Sequence, residues 1–346
     1  MEKENVIYIN KSKLSFKIKD KSKTILENAL SSNLMLPHGC KSGSCGSCTA
    51  KLIRGNATLK NNAFIIENEE ILLCQSYLVS EEMVLEYSID QIKIIEEKYN
   101  LKDKIIPKDY LLQVLSNKSV SPMVKEVSLH VPPKLNFKFL PGSHMEFIYP
   151  NKELKREYSI VNSPNESMKL ADNIFRFLIV CHHEGGLSSI IHNKVKVGDL
   201  FKLRGPFASF EYKIDNDKPL IGIAGGTGIA PILSVVKDAL VKNKKLTVLI
   251  FLSVRNRDEI LEMETLMKLK DEYINFSFKI TLSRETEQPN SMFLYGRVNN
   301  TLQKVFKDLS THKVLIAGSE GFVDNMYNYT ISLNAKKENI FFEKFS

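Results

Sequence analysis

Four cysteines near the amino terminus carry the clearest chemistry in this chain of 346 residues. Cys40, Cys45 and Cys48 lie close together, and Cys74 follows after a further 25 residues. Thiolates at this C-x4-C-x2-C…C spacing hold a [2Fe–2S] cluster, whose negative charge needs N–H donors near its sulfurs. Glycines within the loop let the backbone wrap closely enough to supply those donors. We therefore predict that all four cysteines are metal ligands.

Two other uses of four cysteines stay open at this point. A structural zinc ion also binds four thiolates, but zinc sites usually show paired C-x2–4-C knuckles, and here Cys74 stands alone. Disulfides need an oxidising compartment, whereas the amino-terminal residues show no apolar segment or cleavage pattern typical of export. We therefore expect a cytoplasmic, reduced protein in which an iron–sulfur cluster explains the cysteines better than zinc does.

The loop LPHGCKSGSCGSC, together with the later ILLCQS, resembles the signature of plant-type ferredoxins. The resemblance covers residues 1–97 and implies a small α+β domain of the β-grasp type that passes one electron at a time. The flanking pattern agrees with it. VIYIN and LSFKIK have the pattern of a strand pair, TILENALSSN that of a short amphipathic helix, and MVLEYSI that of a closing strand.

A second group of chemistry-bearing residues begins at Arg156, whose guanidinium matches a phosphate bidentately. The run Arg156-Glu157-Tyr158-Ser159, followed by a Gly-Gly-Leu-Ser turn and a Gly-Pro pair, resembles the flavin domain of the ferredoxin–NADP reductase superfamily. The resemblance implies that Arg156 holds the flavin pyrophosphate, Tyr158 stacks on the isoalloxazine, and Ser159 hydrogen-bonds its N5. Backbone N–H groups of the turn and the helix start after it add FAD contacts. That turn consists of Gly185, Gly186, Leu187 and Ser188.

A third motif, Gly225-Gly226-Thr227-Gly228, joins a buried apolar strand to a helix that opens near Pro231. A glycine-rich turn at a helix amino terminus is a pyrophosphate site by its geometry and its dipole. The motif resembles the GGTGxAP sequence of the same superfamily, which implies that NAD(P)H binds here. The resemblance extends to Arg255 and to Ser283-Arg284, a pair that grips the 2′-phosphate in NADP-using relatives, so NADPH stays open beside NADH. The predicted nucleotide contacts are Gly225, Gly226, Thr227, Gly228, Pro231, Arg255, Ser283, Arg284 and Gly318.

The carboxyl-terminal part departs from the superfamily in one place. Its Cys-Gly-Pro sequence is replaced by Ala317-Gly318-Ser319, so the cysteine that positions the nicotinamide is absent and the efficiency of hydride transfer is open. Glu343 and Phe345 resemble the superfamily's terminal acidic and aromatic pair, in which the aromatic ring covers the flavin. We therefore predict catalytic roles for Tyr158, Ser159, Glu343 and Phe345.

The elements that must position these motifs change character along the chain. Short strand-like segments alternate with turns from 107 to 214, as in an antiparallel barrel or sandwich, and the resemblance to the superfamily's flavin domain implies the barrel. Continuous apolar strands alternate with helical stretches from 215 to 346, which predicts an α/β doubly wound nucleotide-binding domain. We predict a [2Fe–2S] ferredoxin domain at 1–97, a linker at 98–106, an FAD-binding barrel at 107–214 and an NAD(P)-binding domain at 215–346.

The formal net charge of +8 would allow a nucleic-acid or membrane partner. Residues 1–97 hold 12 basic and 13 acidic side chains, whereas the remainder holds 36 basic and 27 acidic ones. The excess therefore lies where anionic FAD and NAD(P)H bind, and no aromatic–basic motif encourages nucleic-acid binding. The long uncharged stretch 219–236 contains a glycine-rich turn and a proline, so a buried strand, turn and helix explain it better than a membrane span.

The order of the three motifs resembles the bacterial single-chain iron–sulfur flavoprotein reductases that serve oxygenases and CDP-6-deoxy-3,4-glucoseen reduction. This resemblance implies an NAD(P)H-dependent oxidoreductase that passes electrons through FAD and a [2Fe–2S] cluster to a partner protein. That partner would be an oxygenase component or a nucleotide-sugar dehydrase, and the cysteine loop with Ala317-Gly318-Ser319 favours the latter. The alternative is an iron–sulfur or zinc binding module on a reductase-like scaffold that does not turn over, which only Ala317 supports.

Overall fold

The computed structural model describes residues 5–12, 14–32, 34–59, 63–100, 107–135, 137–149, 154–167, 173–181, 185–208, 210, 218–288 and 291–345. The chain divides into two compact units, Met1–Pro107 and Lys108–Ser346. None of the helices in these described ranges has the length and apolar character needed to cross a bilayer.

The first unit is a small α+β domain with a mixed sheet. In chain order its elements are β1 (Val6–Ile9), β2 (Ser15–Lys17), α1 (Ile25–Ser31), β3 (Thr49–Arg54), β4 (Ala57–Leu59), β5 (Phe64–Ile65), β6 (Glu70–Leu72), β7 (Ser76–Leu78), β8 (Glu82–Glu86) and α2 (Ile89–Asn100). One sheet has the order β2-β1-β8-β3-β6, and a smaller one has the order β5-β4-β7. The predicted ferredoxin-type α+β domain is confirmed.

Helix α1 is fixed at its start by a capping box. Glu27 N donates to Thr24 Oγ1 at 3.2 Å, and Thr24 N donates to Glu27 Oε2 at 2.8 Å, so each residue satisfies a backbone donor of the other. Leu26 N donates to Leu73 O at 3.0 Å, which ties the helix to the residue before Cys74. The helix therefore supports the turn that carries the fourth cysteine.

Helix α2 differs from the sequence-based expectation of a linker. Residues 98–100, which we assigned to the linker, continue this helix, and residues 101–106 lie outside the described residues. Ile92 and Ile95 of the helix are buried at 6% and 0% exposure in the core of the first unit. This apolar anchoring explains why a polar sequence is helical here.

The first part of the second unit is an antiparallel barrel. Its elements are β9 (Lys108–Ser121), β10 (Val124–His130), β11 (Ser143–Tyr149), β12 (Leu154–Ser159), α3 (Pro164–Ser167), β13 (Ile174–Val180), α4 (Leu187–Asn193) and β14 (Leu200–Ala208). The strand order is β12-β11-β14-β9-β10-β13, and an antiparallel bridge between Ile160 and Phe177 brings the two edges together. Phe147, Phe175 and Phe177 fill the interior in edge-to-face contacts. The predicted barrel is confirmed.

The second part of this unit is a parallel sheet with helices. Its elements are β15 (Leu220–Gly225), α5 (Ile229–Lys242), β16 (Val248–Val254), α6 (Met263–Glu272), β17 (Phe276–Leu282), β18 (Leu294–Tyr295), α7 (Val298–Val305), β19 (Lys313–Ser319), α8 (Glu320–Ser332) and β20 (Ile340–Phe345). The order β18-β17-β16-β15-β19-β20 reverses direction at β15, as in a doubly wound fold. The predicted nucleotide-binding fold is confirmed.

Helix α5 is buried against both parts of the second unit. Ser234 Oγ donates to Asn162 O at 2.7 Å and accepts from Gly142 N at 3.1 Å, both on the barrel side. Lys237 Nζ lies 2.9 Å from the carboxylate of Glu166. Apolar residues from the barrel and the parallel sheet also share one core cluster. The two layers are therefore held in a fixed relation across this helix.

Candidate functional site

The four sequence-predicted cysteines lie together as two pairs of thiols. Cys48 Sγ is 3.1 Å from Cys74 Sγ, while Cys45 N donates to Cys40 Sγ at 3.3 Å and Cys40 N donates to Cys45 Sγ at 3.2 Å. A hydrogen bond from the Cys45 thiol lowers the pKa of Cys40 to about 3, and one from the Cys48 thiol lowers the pKa of Cys74 to about 7. Each pair thus favours one thiolate, the form that ligates a metal.

The loop between the cysteines depends on glycine. Gly43 and Gly46 have φ values of +89° and +67°, a backbone region that side chains other than glycine rarely adopt. A Cβ atom at Gly43 would lie 2.9 Å from Cγ of Gln75, whose amide donates to Cys74 O at 2.9 Å. The glycines therefore let the loop close onto the turn that carries Cys74.

The paired thiols fit a two-iron cluster better than a single metal ion. Four thiolates on one zinc ion must converge on a single point. Within the part of the chain that the structure describes, no three His, Cys, Asp or Glu side chains converge as ligands of one ion. A [2Fe–2S] cluster instead divides four thiolates between two irons, which matches the pairs Cys40–Cys45 and Cys48–Cys74.

In the second unit a cleft of about 770 Å³ opens between the barrel and the carboxyl ends of the parallel strands. It lies beside β15, at the point where the strand order reverses, which is where open α/β sheets bind nucleotides. The sequence-predicted residues that line it are Arg156, Tyr158, Ser159, Gly186, Leu187, Ser188, Gly225, Gly226, Thr227, Arg255, Ser283 and Phe345. Predicted residues outside the lining are Gly185, Gly228, Pro231, Arg284, Gly318 and Glu343.

Strand β12 carries the predicted flavin residues to the wall of the cleft. The ring of Tyr158 packs edge-to-face on Phe147, with centroids 5.1 Å apart, and burial raises the pKa of Tyr158, which keeps the phenol neutral. Arg156 is exposed, and its Nη1 donates to Lys155 O at 2.9 Å. The positively charged guanidinium of Arg156 and the neutral ring of Tyr158 therefore line the same cleft.

The turn before α4 brings backbone groups to this wall. Gly185 adopts φ +85°, and Gly186 follows in an extended conformation as the N-cap of the helix. Leu187 is buried at 2% exposure and anchors the helix in the barrel core, whereas Ser188 lines the cleft. The donor set of Arg156 and this turn fits the pyrophosphate of a flavin dinucleotide.

The turn between β15 and α5 approaches β19 too closely for any side chain at position 228. A Cβ atom on Gly228 would lie 2.1 Å from the carbonyl oxygen of Ala317. The ring of Phe322 covers the neighbouring Gly225, where a Cβ would meet it at 3.0 Å. Gly225, Gly226 and Thr227 are thereby held against the cleft, and this cradle fits a second pyrophosphate.

Acidic partners bind Arg255, which was expected at the adenosine end, and the nearby Arg257, which was not predicted. Arg255 donates from its backbone N and its Nε to Glu259 Oε2, at 3.0 and 3.1 Å, and Glu259 lines the cleft. Arg257 pairs in the same way with Glu285, its Nε lying 3.0 Å from Oε2. Arg284 is exposed and does not contribute to the cleft lining.

Strand β20 brings Phe345 to the cleft and Glu343 to the side chain of Ser159. The register of β20 on β19 places Glu343 opposite Ala317 and Phe345 opposite Ser319. Ser159 Oγ donates to Glu343 Oε1 at 2.8 Å across a separation of 184 residues. Burial raises the pKa of Glu343 to about 7, so this carboxyl group is partly protonated at neutral pH.

Sequence reasoning missed several residues of the cleft. Glu259 follows Arg255 by four residues, a spacing that signals an ion pair but no ligand. Phe322 and Met123 belong to no motif, and they reach the cleft only because α8 and the β9–β10 turn end there. Only the fold places them at the site.

Three family matches follow one another along the chain. Residues 7–79 match the 2Fe-2S iron-sulfur cluster binding domain, residues 111–212 the oxidoreductase FAD-binding domain, and residues 223–327 the oxidoreductase NAD-binding domain. The matches cover the thiol pairs, strand β12 and the β15–α5 turn in that order.

The chain belongs to the iron–sulfur flavoprotein reductases. This reductase is 29% identical over 324 residues to "Terephthalate 1,2-dioxygenase, reductase component 1" of Comamonas sp, covering 92% of this chain and 91% of the relative. It is 31% identical over 236 residues to "CDP-6-deoxy-L-threo-D-glycero-4-hexulose-3-dehydrase reductase" of Yersinia pseudotuberculosis, covering 67% and 66%. Both branches named from the sequence therefore have relatives, and the oxygenase branch matches over the longer span.

The reductase also shares its fold with solved structures. The Amycolatopsis cytochrome P450 reductase GcoB superposes with a TM-score of 0.78 at 18% identity, covering 98% of both chains. A "Ferredoxin reductase in carbazole 1,9a-dioxygenase" superposes with a TM-score of 0.70 at 18% identity, covering 99% of this chain and 98% of the other. At this identity the likeness supports the fold alone.

Proposed function

We propose that this reductase draws electrons from NADH into the cleft of its second unit and delivers them through the four-cysteine site to a separate acceptor protein. One observation carries the proposal. The Arg156–Ser159 strand end, the turn residues 225–227 and Phe345 of β20 meet at a single cleft, so a flavin and a nicotinamide can be held next to each other there. When bound, FAD takes an electron pair as hydride and the cluster takes electrons singly.

The residues of the chain supply position rather than bond-making. Arg156 and the backbone at 186–188 would hold the flavin pyrophosphate, and the Tyr158 ring would fix the plane of the isoalloxazine. Ser159 and Glu343, hydrogen-bonded to each other, would hold a proton beside it. Phe345, which lines the cleft and is half-buried, would exclude water from the reacting face.

For the nicotinamide we propose NADH over NADPH. The carboxylate of Glu259 neutralises Arg255 and lines the cleft, so a 2′-phosphate dianion would meet a negative charge rather than a free cation. Arg257 is likewise occupied by Glu285 and by the hydroxyl of Tyr295. The sequence left NADPH open through the Ser283-Arg284 pair, and the position of Arg284 outside the cleft lining supports NADH.

The acceptor is proposed from the relatives. Their names identify reductase components of a terephthalate dioxygenase, of propane 2-monooxygenases and of a nucleotide-sugar dehydrase. We propose an oxygenase component as the acceptor because those relatives match this chain over more than nine-tenths of its length, and a dehydrase remains the second candidate. A cytoplasmic location agrees with five free cysteines.

Anaerobic absorbance spectroscopy of the purified holoprotein tests the function. We expect flavin and cluster bands that NADH bleaches in sequence, and a single-electron acceptor should restore them. A colourless, zinc-loaded protein would establish the non-catalytic binding module. A coloured protein that NADH and NADPH fail to bleach would show that Ala317, in place of the superfamily cysteine, has ended hydride transfer.

A further inference from the structure

Under the proposed function, the oxidation of NADH leaves one proton inside the cleft. Each NADH that becomes NAD⁺ gives up two electrons and one proton, and under the proposed function both electrons leave through the cluster. Iron–sulfur centres ligated by thiolates carry electrons and no proton. The proton therefore needs its own way out of the second unit, through side chains that accept and donate it.

The first carrier on that route is at the cleft wall. Ser159 Oγ lines the cleft and donates to Glu343 Oε1 at 2.8 Å. Glu343 is only 8% exposed, and among the described residues none donates a hydrogen bond to its second oxygen, Oε2. A proton that reaches Glu343 consequently has no direct contact with bulk water.

His144 lies next to this pair. In the β11–β12 register it stands opposite Ser159, so the two side chains share one face of the sheet. Its imidazole is 2% exposed and stacks on Phe207 with centroids 5.5 Å apart. Ser159 also hydrogen-bonds to Glu343, so His144 and Glu343 both lie beside this hydroxyl group, and the charge of His144 lowers the pKa of Glu343.

Glu157 completes the series toward solvent. It precedes Ser159 by two residues and so lies on the same face of β12. Its Oε2 is 3.5 Å from Nε2 of His144, and its side chain is 25% exposed at the rim of the cleft. A proton on Glu157 can therefore exchange with water.

Among the residues that the structure describes, few groups face Glu343. From β11 there is His144, from β12 Ser159 and Glu157, and from β19 the non-titrating Ala317. Burial and the negative charge of Glu157 raise the pKa of Glu343, whereas His144 and the hydrogen bond from Ser159 lower it. The adjacent Lys344 is bound to Asp324 of α8 at 2.6 Å and does not enter this group.

We propose that His144 acts through Glu343 as a proton relay: in each catalytic cycle it carries one proton from Glu343 to Glu157. The carboxyl group of Glu343 gives its proton to the imidazole, and the imidazolium gives one from Nε2 to the carboxylate of Glu157, which releases it to water. One proton leaves per NADH oxidised, no electrons move along this route, and Glu343 is left ionised for the next cycle.

The test compares H144F with H130F in the FAD- and cluster-loaded protein. Phenylalanine at 144 keeps the stacking on Phe207 and removes both ring nitrogens, while His130 lies on β10 outside the cleft lining. Stopped-flow mixing with NADH and a pH-indicator dye measures proton release, and cluster absorbance measures electron arrival. We expect proton release at least about tenfold slower in H144F, with a larger solvent isotope effect, and wild-type behaviour in H130F.

A second readout uses the protein without its cofactors. Infrared difference titration of the buried carboxyl group should show a higher pKa for Glu343 in H144F than in wild type, and a lower one in E157Q. Unchanged proton release in a folded, FAD-loaded H144F protein would overturn the relay. If wild type itself is not bleached by NADH, the proposed function fails instead, so the two failures are distinguishable. If H144F does not fold, E157Q at the exposed rim provides the test. Slower proton release in E157Q would support the relay, and unchanged release would overturn it.

Discussion

The two sites of this reductase are built in opposite ways. The thiol site takes its four cysteines from residues 40 to 74 of the first unit, and three of them lie in one loop. The cleft of the second unit takes its lining from residues between Ser121 and Phe345, spread over strands of two layers. A local site depends on loop conformation, whereas a dispersed one depends on the register and packing of the whole unit. A substitution at the thiol site should therefore affect that site alone, whereas a substitution at the cleft should affect the packing of the whole second unit.

The largest effect should come from C74S. It removes one proposed ligand, the thiol that contacts Cys48, so we expect complete loss of cluster absorbance and of electron delivery to an acceptor. Bleaching of the flavin by NADH should persist, because the cleft lies in the other unit. Absorbance and stopped-flow measurements check both parts. C181S, which alters the fifth cysteine at the end of β13, is the matched control and should retain the cluster. Loss of flavin bleaching in C74S would contradict the independence of the two sites.

G228A should disturb the dispersed site as a whole. The added Cβ would lie 2.1 Å from backbone of β19, so strand and turn must separate, at a cost of about 3 kcal/mol or more in the free energy of unfolding of the second unit. Chemical denaturation, followed by flavin release, measures this. G321A in α8 is the control, since its Cβ would meet nothing within 4 Å and alanine favours a helix. Equal stability of the two variants would show that the close approach of Gly228 to β19 does not affect the free energy of unfolding.

The pH dependence of stability should reveal the buried carboxyl group. Glu343 binds its proton more tightly in the folded state, because its pKa rises from 4.5 to about 7. Stability of the second unit should therefore fall as pH rises from 4.5 to 7, by on the order of 3 kcal/mol, and stay low above that window. Urea denaturation of the cofactor-free protein at pH 5 and pH 8 should show this difference in wild type and a smaller one in E343Q. The same pH difference in both proteins would refute the assignment.

The smallest effect concerns the adenosine end of the cleft. E259Q removes a negative charge beside Arg255, so NADPH should bind about fivefold more tightly, with little change for NADH. R284A is the companion variant, and we expect it to change NADH and NADPH binding equally. Equilibrium titrations with both nucleotides decide the matter. A selective loss of NADPH binding in R284A would assign Arg284 to the 2′-phosphate and contradict this account.

The three folds, and the meeting of the four cysteines at one place, could be predicted from sequence because most of each signal lies within a short stretch of chain. The cysteine spacing, the R-E-Y-S strand end and the GGTG turn each specify backbone shape and chemistry within a few residues. Alternating and continuous apolar strands likewise distinguish a barrel from a parallel sheet. The resemblance to the superfamily also named Ser159 and Glu343, but their hydrogen bond depends on β20 packing beside β19.

What sequence reasoning missed depends on pairing between distant strands. In the sequence His144 is an ordinary strand residue, and only the β11–β12 register shows that it lies opposite Ser159. Glu259 reads as the partner of Arg255 until the fold turns its carboxylate toward the cleft. Helix α2 replaced part of an expected linker because buried Ile92 and Ile95 outweigh the polar residues around them. In each case tertiary packing adds information that local patterns lack.

The double burial of helix α5 has a consequence for how such proteins can be recombined. Ser234 and Lys237 bind the barrel while the same helix covers the parallel sheet. A recombination breakpoint near residue 215 would therefore separate the barrel from the helix and sheet that pack against it. A break between Pro107 and Lys108 separates two compact units instead. We therefore expect gene fusions and shuffled chimeras to tolerate exchange of the iron–sulfur unit, while residues 108–346 are inherited as an indivisible module.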